Sequence, residues 1–202
     1  MTQLPPHFVV ATGNAGKVVE FRELLKETNV RIDGLDAYDP FEAAVEDADT
    51  FEGNALKKAR HAAAILGLPC LADDSGLVVD ALGGAPGVYS ARYAGEGASD
   101  EENVDKLLKA LDAIDGPRSA RFMCCLALVT PSGEVVYEGS GRVEGEITRE
   151  RRGSSGFGYD PVFQPVGREQ TMAELGLAEK NRLSHRANAC AILLQRIGAA
   201  GA

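Results

Sequence analysis

The sequence has no tryptophan, only three histidines and only four cysteines. Cys70, Cys124, Cys125 and Cys190 lie in apolar stretches without C-x-x-C spacing, and neighbours such as Cys124 and Cys125 rarely pair. All four are expected to be reduced core residues in a reducing compartment. With so little histidine, a zinc or other transition-metal centre is not expected. Basic residues are in deficit, 21 Lys and Arg against 30 Asp and Glu, a net charge of −9. A polyanion needs an extended basic surface, so nucleic acid is not an expected partner. No apolar run reaches membrane-spanning length, and "MTQLPPHF" lacks the basic and then apolar pattern of a signal peptide. The expectation is a cytoplasmic protein with no membrane partner. A small anionic substrate, held by a few local cations and a metal ion, is left open.

What remains is ordinary globular material, 45% hydrophobic and 25% charged over 202 residues. That length supports one sizeable core, as one domain or two closely joined lobes. No internal repeat or low-complexity linker marks a boundary, so 1–202 is read as a single domain. "FVVAT" reads as a buried strand, and a helix follows from the glycine-rich turn to about Glu27. "VRIDGL" is a short strand, and "DAYDPFEAAVEDADT" an acidic irregular segment. A second helix is expected from Phe51 to Leu66, stopped by Gly67 and Pro69. "PCLADDSGLVVDAL" is strand-like on both sides of an acidic centre, where Ser75 and Gly76 are expected to end the regularity. "DEENVDKLLKALDAI" is an amphipathic helix with Val104, Leu107, Leu108 and Leu111 inward. A hairpin runs from "SARFMCCLALVT" through "PSG" to "EVVYEGSGRVEGEI", and "SHRANACAILLQRI" is the last helix. Alternating strands and helices with one hairpin predict an α/β fold with a mixed sheet.

Five stretches carry chemistry. "ATGNAGK" links a strand to a helix start through small residues and a lysine, the ingredients of an anion site. It is not a Walker loop: Gly13 and Gly16 stand too close, and Val18 replaces the Ser or Thr after the lysine. It also lacks the spacing of a dinucleotide-binding turn. Asp73 and Asp74 sit inside an apolar stretch, where carboxylates are costly unless paired or coordinating a cation. Adjacent strand residues point to opposite faces, so one acid is expected to face a site and the other to brace the scaffold. On the second helix Lys58 lies at the edge of the apolar stripe, whereas Lys57 points away from it. "GSSGFGYDP" frames Phe157 and Tyr159 with glycines, suited to stacking on a planar ring or to plugging the core. "EKNRLSHRANA" places Lys180, His185 and Arg186 around a helix start with Ser184 as cap, where cations oppose the helix dipole.

In this order, "ATGNAGKVVEF", "TFEGNALKKARHA", "LADDSGLVVDALGGAPGVYSARYAG", "GFGYDPVF", "TMAEL" and "EKNRLSHRANA" resemble the inosine/xanthosine triphosphate pyrophosphatase family across nearly the whole chain. The resemblance implies an elongated mixed sheet with flanking helices, forming two lobes around a central cleft, in a homodimer. It implies hydrolysis of ITP, dITP or XTP to the monophosphate and pyrophosphate with Mg2+. Thr12, Gly13, Asn14, Ala15, Gly16, Lys17 and Lys58 would hold the triphosphate. Asp74 would be the general base and, with Glu46, a metal ligand; Ser75 would contact substrate. Phe157 would stack on the purine beside Gly158, Tyr159 and Asp160, and Lys180, His185 and Arg186 would complete base recognition. The family commonly has an acid directly before the asparagine of the second helix. Here Gly53 holds that place, with Glu52 one residue earlier, a rotation of about 100° on a helix. Glu52 is therefore left out of the expected site. The alternatives are a nucleotide pyrophosphatase of different base preference and a sensor that binds nucleotide without cutting it.

Overall fold

A computed structural model describes residues 4–38 and 40–197. The elements in chain order are β1 (His7–Val10), α1 (Ala15–Leu24), β2 (Arg31–Gly34), α2 (Phe51–Leu66), β3 (Cys70–Val79) and α3 (Asp100–Asp112), then β4 (Ser119–Val129), β5 (Val135–Ile147), β6 (Phe163–Pro165), α4 (Leu177–Leu183) and α5 (His185–Ile197). The six strands form one sheet in the order β2-β1-β3-β4-β5-β6. β1 runs parallel to β2 and β3, whereas β5 and β6 are antiparallel. The fold is the mixed α/β type that the alternation of elements predicts. Asp39, inside the expected acidic segment, lies outside the described residues.

Contacts divide the chain into two compact units. The first holds the described residues up to Asp74, Cys124–Gly141 and those from Arg186 on; the second holds Ser75–Met123 and Arg142–His185. In the first unit both sheet faces are covered. Phe8, Val10, Leu71, Cys124, Leu126 and Leu128 pack with Phe21 of α1 and Leu193 of α5. Their strand neighbours Val9, Ala11, Cys70, Ala72, Cys125 and Ala127 pack with Ala55, Ala59, Ala62 and Ala63 of α2. The period-two alternation of a strand produces this division, and burial on both faces explains why β1 and β4 read as continuous apolar runs. It also sends Cys124 and Cys125 to opposite faces. All four cysteines are free and buried.

The second unit is built around α3. Its helix starts with a reciprocal cap, Ser99 with Glu102, and Val104, Leu107 and Leu111 are buried against Leu77, Phe122, Ile147 and Phe163. Leu108, expected in the same stripe, is only partly buried. Gly145 lies opposite Pro165, and the Phe163 ring covers the place where a Cβ would stand.

One expectation is corrected. The acidic centre of β3 does not end the strand: Cys70–Val79 is continuous through Ser75 and Gly76. A strand can carry buried acids in mid-course when each one meets a cation, as both do here.

Leu107 is fully buried, so Leu107→Ala should lower unfolding free energy by about 2–5 kcal/mol through lost transfer energy and a residual cavity. Urea titration of the two proteins measures it.

Candidate functional site

β1 delivers the chain to the loop at 12–17. The Thr12 hydroxyl accepts the Asn14 amide at 3.2 Å, and Asn14, as N-cap of α1, accepts the Lys17 amide at 3.1 Å. A Cβ at Gly13 would meet nothing within 4 Å, so that side of the loop is open. Ala15, Gly16 and Lys17 form the first turn of α1. The stretch thus leads into the N-terminal amides of a helix beside an open backbone.

Strand alternation then separates the two acids of β3. Asp73 follows Leu71 onto the α1/α5 face, and Asp74 follows Ala72 onto the α2 face. Asp73 is fully buried, with the Lys17 ammonium 2.9 Å and the Arg186 guanidinium 3.1 Å from its Oδ2. Arg186 also pairs with the buried Glu20 of α1 and lies over the Phe21 ring at 5.7 Å. Burial works against the Arg186 charge, but Asp73 and Glu20 outweigh it and hold its pKa above the ordinary arginine value. Arg186 is thus a buried partner of two carboxylates. The conflict between cations and the start of α5 is relieved by carboxylates of the protein itself.

Asp74 takes the Lys58 ammonium at 2.9 Å and the Asn54 side-chain amide at 3.2 Å. Lys58 also reaches Glu46 at 3.3 Å. Burial raises the Asp74 pKa above the usual carboxylate value; Lys58 and Asn54 oppose the rise, and Glu46 adds to it. Burial works against the Lys58 charge as well, but Asp74, Asp73 and Glu46 overcome it and raise that pKa too. The two carboxylates thus hold the Lys58 ammonium in its charged form. Lys57 instead pairs with the exposed Asp47.

Asn54 was missed in the sequence. It is fully buried, accepts the Ala48 amide at 3.0 Å and donates to Asp74, so it ties the acidic loop to the acid. Its signal is the i,i+4 spacing to Lys58, which puts an amide and an ammonium on one face of α2. Gly53 occupies the third position of α2, where a Cβ would stand 2.9 Å from the Ala48 Cβ. Glu52 accepts the Cys125 thiol at 3.3 Å.

In the second unit, Asp160 is buried and its Oδ2 accepts the Phe157 amide at 3.1 Å and the Lys180 ammonium at 2.8 Å. That ammonium lies 4.6 Å from the centre of the Phe157 ring. Phe157 is half-buried, whereas Tyr159 is buried and donates its hydroxyl to the Ser90 carbonyl at 2.8 Å. Of the two aromatics, Phe157 presents a face and Tyr159 anchors the loop. Gly156 is required here, at φ +83°, because a Cβ would strike the Asp160 carboxylate. Ser75 is half-buried in β3. His185 is buried and stacks on Phe122 at 4.9 Å between ring centres. The first unit therefore groups Lys17, Glu46, Lys58, Asp74 and Arg186, and the second groups Phe157, Asp160 and Lys180. Among the described residues no cluster of three or more His, Cys, Asp or Glu side chains has metal-binding geometry, and no helix is long and apolar enough to cross a membrane.

Asp73→Asn removes a charge from a fully buried network and should cost about 3–5 kcal/mol of stability. Glu23→Gln, in the exposed pair with Lys26, should stay within about 0.5 kcal/mol. Parallel denaturant titrations distinguish the two.

The Ham1 family model matches residues 8–196. A dITP/XTP pyrophosphatase of Desulfotalea psychrophila is 52% identical over 187 residues, which is 92% of this chain and 82% of that protein. A HAM1 protein from Coxiella burnetii superposes with a TM-score of 0.87 at 43% identity, covering 96% of this chain and 99% of the other. A nucleoside-triphosphatase, dITP/XTP pyrophosphatase, from Mycobacterium abscessus superposes at 0.75 with 44% identity, covering 93% and 98%. With its family model matched over residues 8–196 and relatives about half identical across most of its length, the chain belongs to the Ham1 family.

Proposed function

We propose that this protein hydrolyses aberrant purine nucleoside triphosphates, dITP, ITP and XTP, to the monophosphate and pyrophosphate. The observation that carries the reading is the buried acid Asp74, held by Lys58 and Asn54, on the strand whose neighbouring acid holds Lys17. The names of the relatives from D. psychrophila and M. abscessus support the same substrates.

The backbone of residues 12–17 and the ammonium groups of Lys17 and Lys58 bind the triphosphate and neutralise charge that develops on its oxygens. Glu46 and Asp74 converge on one cation, the Lys58 ammonium. A pair of hard carboxylates without sulfur or imidazole suits magnesium, which keeps several waters and shares phosphate oxygens. When bound, Mg2+ would supply positive charge against the triphosphate. Asp74 takes a proton at its carboxylate from the water that attacks the α-phosphorus, and Lys17 and Lys58 stabilise the departing pyrophosphate. Asn54 fixes which way the Asp74 carboxylate turns.

Phe157 stacks on the purine, with Gly158, Tyr159 and Asp160 shaping its surroundings and Lys180 beside the ring. Hypoxanthine and xanthine carry a 6-keto acceptor where adenine has a donor. Donors from Lys180 and the segment at Ser184 and His185 would match the former and be left unpaired by ATP, which discriminates strongly at a buried site. Arg186 supports that segment from its buried ion pairs, and Ser75 contacts substrate. The enzyme works as a single domain and a homodimer in the cytoplasm, with neither nucleic acid nor membrane as partner. Retention of both Glu46 and Asp74 favours catalysis over mere sensing.

The test is a panel of dITP, XTP, dGTP and dTTP with and without magnesium, scoring monophosphate against diphosphate. Rapid, magnesium-dependent release of pyrophosphate from dITP and XTP is expected. Diphosphate with free phosphate, or preference for dTTP, would overturn the reading. Asp74→Asn should lower kcat by about 10²–10⁴-fold, the range for loss of a general base, and circular dichroism should show the fold retained.

A further inference from the structure

The loop that presents Phe157 is held by an acid outside the loop. We propose that Asp100, the first residue of α3, is a positioning residue for the Phe157 platform. This rests on the reading of Phe157 as the purine-stacking residue.

The glycine-rich loop has little side-chain packing of its own, since residues 153–156 are exposed. Two successive backbone amides at its tip are nevertheless fixed by carboxylates. The Phe157 amide donates to Asp160 Oδ2 at 3.1 Å, and the Gly158 amide donates to Asp100 Oδ2 at 2.6 Å. Asp160 is local to the loop, and it also carries Lys180. Asp100 belongs to a different element that is itself rigid: α3 is capped by Ser99 and Glu102 and anchored by Val104, Leu107 and Leu111. A second tie runs alongside. The Arg151 guanidinium donates to the Glu101 carbonyl at 2.9 Å and to Asp105 at 2.8 Å, so the chain just before the loop is fastened to the first turns of the same helix.

The chemistry explains why an acid stands there. Gly158 has φ +60°, a left-handed backbone that glycine adopts without a Cβ penalty, and its N–H is the donor to Asp100. A carboxylate accepting a backbone amide makes a charge-assisted bond, about twice as strong as a neutral one. With Asp160 on one amide and Asp100 on the next, the backbone on both sides of the Phe157 Cα is constrained. The ring is then presented in one orientation before any ligand arrives, and less ordering entropy is lost on binding. Asp100 is exposed, so replacing it does not open the core.

Asp100 could instead serve α3 alone, as an acid in the first turn complementing the helix dipole. Three variants separate the roles. Asp100→Ala removes the acceptor and the charge, Asp100→Asn removes the charge but keeps a side-chain carbonyl, and Glu101→Ala removes a neighbouring first-turn acid without touching Gly158. Positioning predicts that Asp100→Ala raises KM for dITP by about tenfold with kcat within about twofold, a loss confined to uniform binding. Asp100→Asn should restore KM to within about twofold, and Glu101→Ala should leave it unchanged. Amide hydrogen exchange across residues 154–160 should quicken in Asp100→Ala and return towards the parent in Asp100→Asn. An unchanged KM in Asp100→Ala, an Asn variant indistinguishable from the Ala variant, or an equal effect from Glu101→Ala would overturn the assignment. Amide exchange needs no substrate, so unchanged protection in Asp100→Ala overturns it independently. If the parent enzyme failed to cut dITP, the functional reading would fall, and exchange would still decide whether Asp100 holds the loop.

Discussion

Two carboxylates placed side by side in the middle of a buried strand dominate the first compact unit. A strand offers no choice about where they go: successive side chains leave opposite faces. Asp73 must therefore find its cation among α1 and α5, and Asp74 must find its own on α2. The first requirement is met by Lys17 and Arg186, the second by Lys58. Without these partners the buried charges would make β3 untenable. With them, the strand becomes the element that ties Lys17 of α1 and Lys58 of α2 to adjacent positions of the sheet.

The same arrangement resolves the contrast between a protein of charge −9 and a polyanionic substrate. The cations that matter are not spread over the surface. They are drawn inward and oriented by acids. Lys58 between Asp74 and Glu46 is the clearest case, an ammonium stabilised by both. The second unit uses the same device on a smaller scale. There Asp160 holds Lys180 and a backbone amide together beside an aromatic face. In both units an acid that looks redundant by composition is the organiser of its neighbours.

Much of this was legible along the chain because the relevant periodicities are local. The apolar runs of β1 and β4, the stripe of α3, and the stop of α2 at Gly67 all follow from short-range patterning. Lys58 and Lys57 were separable by helical phase alone, and their partners, Asp74 and Asp47, agree with that phase. One feature was misjudged. Ser75 and Gly76 were expected to end the regularity of β3, but the strand runs on to Val79. The local signal of a serine and a glycine is overridden by burial of Leu77 and Val79 against α3. Asn54 escaped notice because its i,i+4 spacing to Lys58 gains a meaning only once Asp74 is placed opposite both.

The sequence by itself determined the longer helices and strands, though not β6 or α4, together with the mixed character of the sheet, the opposite destinations of Asp73 and Asp74, and the motifs that mark the family. These depend on backbone geometry and on side chains a few residues apart. Only the tertiary structure decided that Glu20 shares Arg186, that Asn54 orients Asp74, and that Asp100 fastens the loop bearing Phe157. Those are pairings between groups distant in the chain. Burial makes the charged pairings compulsory, since a charge removed from water must be compensated wherever the fold brings a partner within reach.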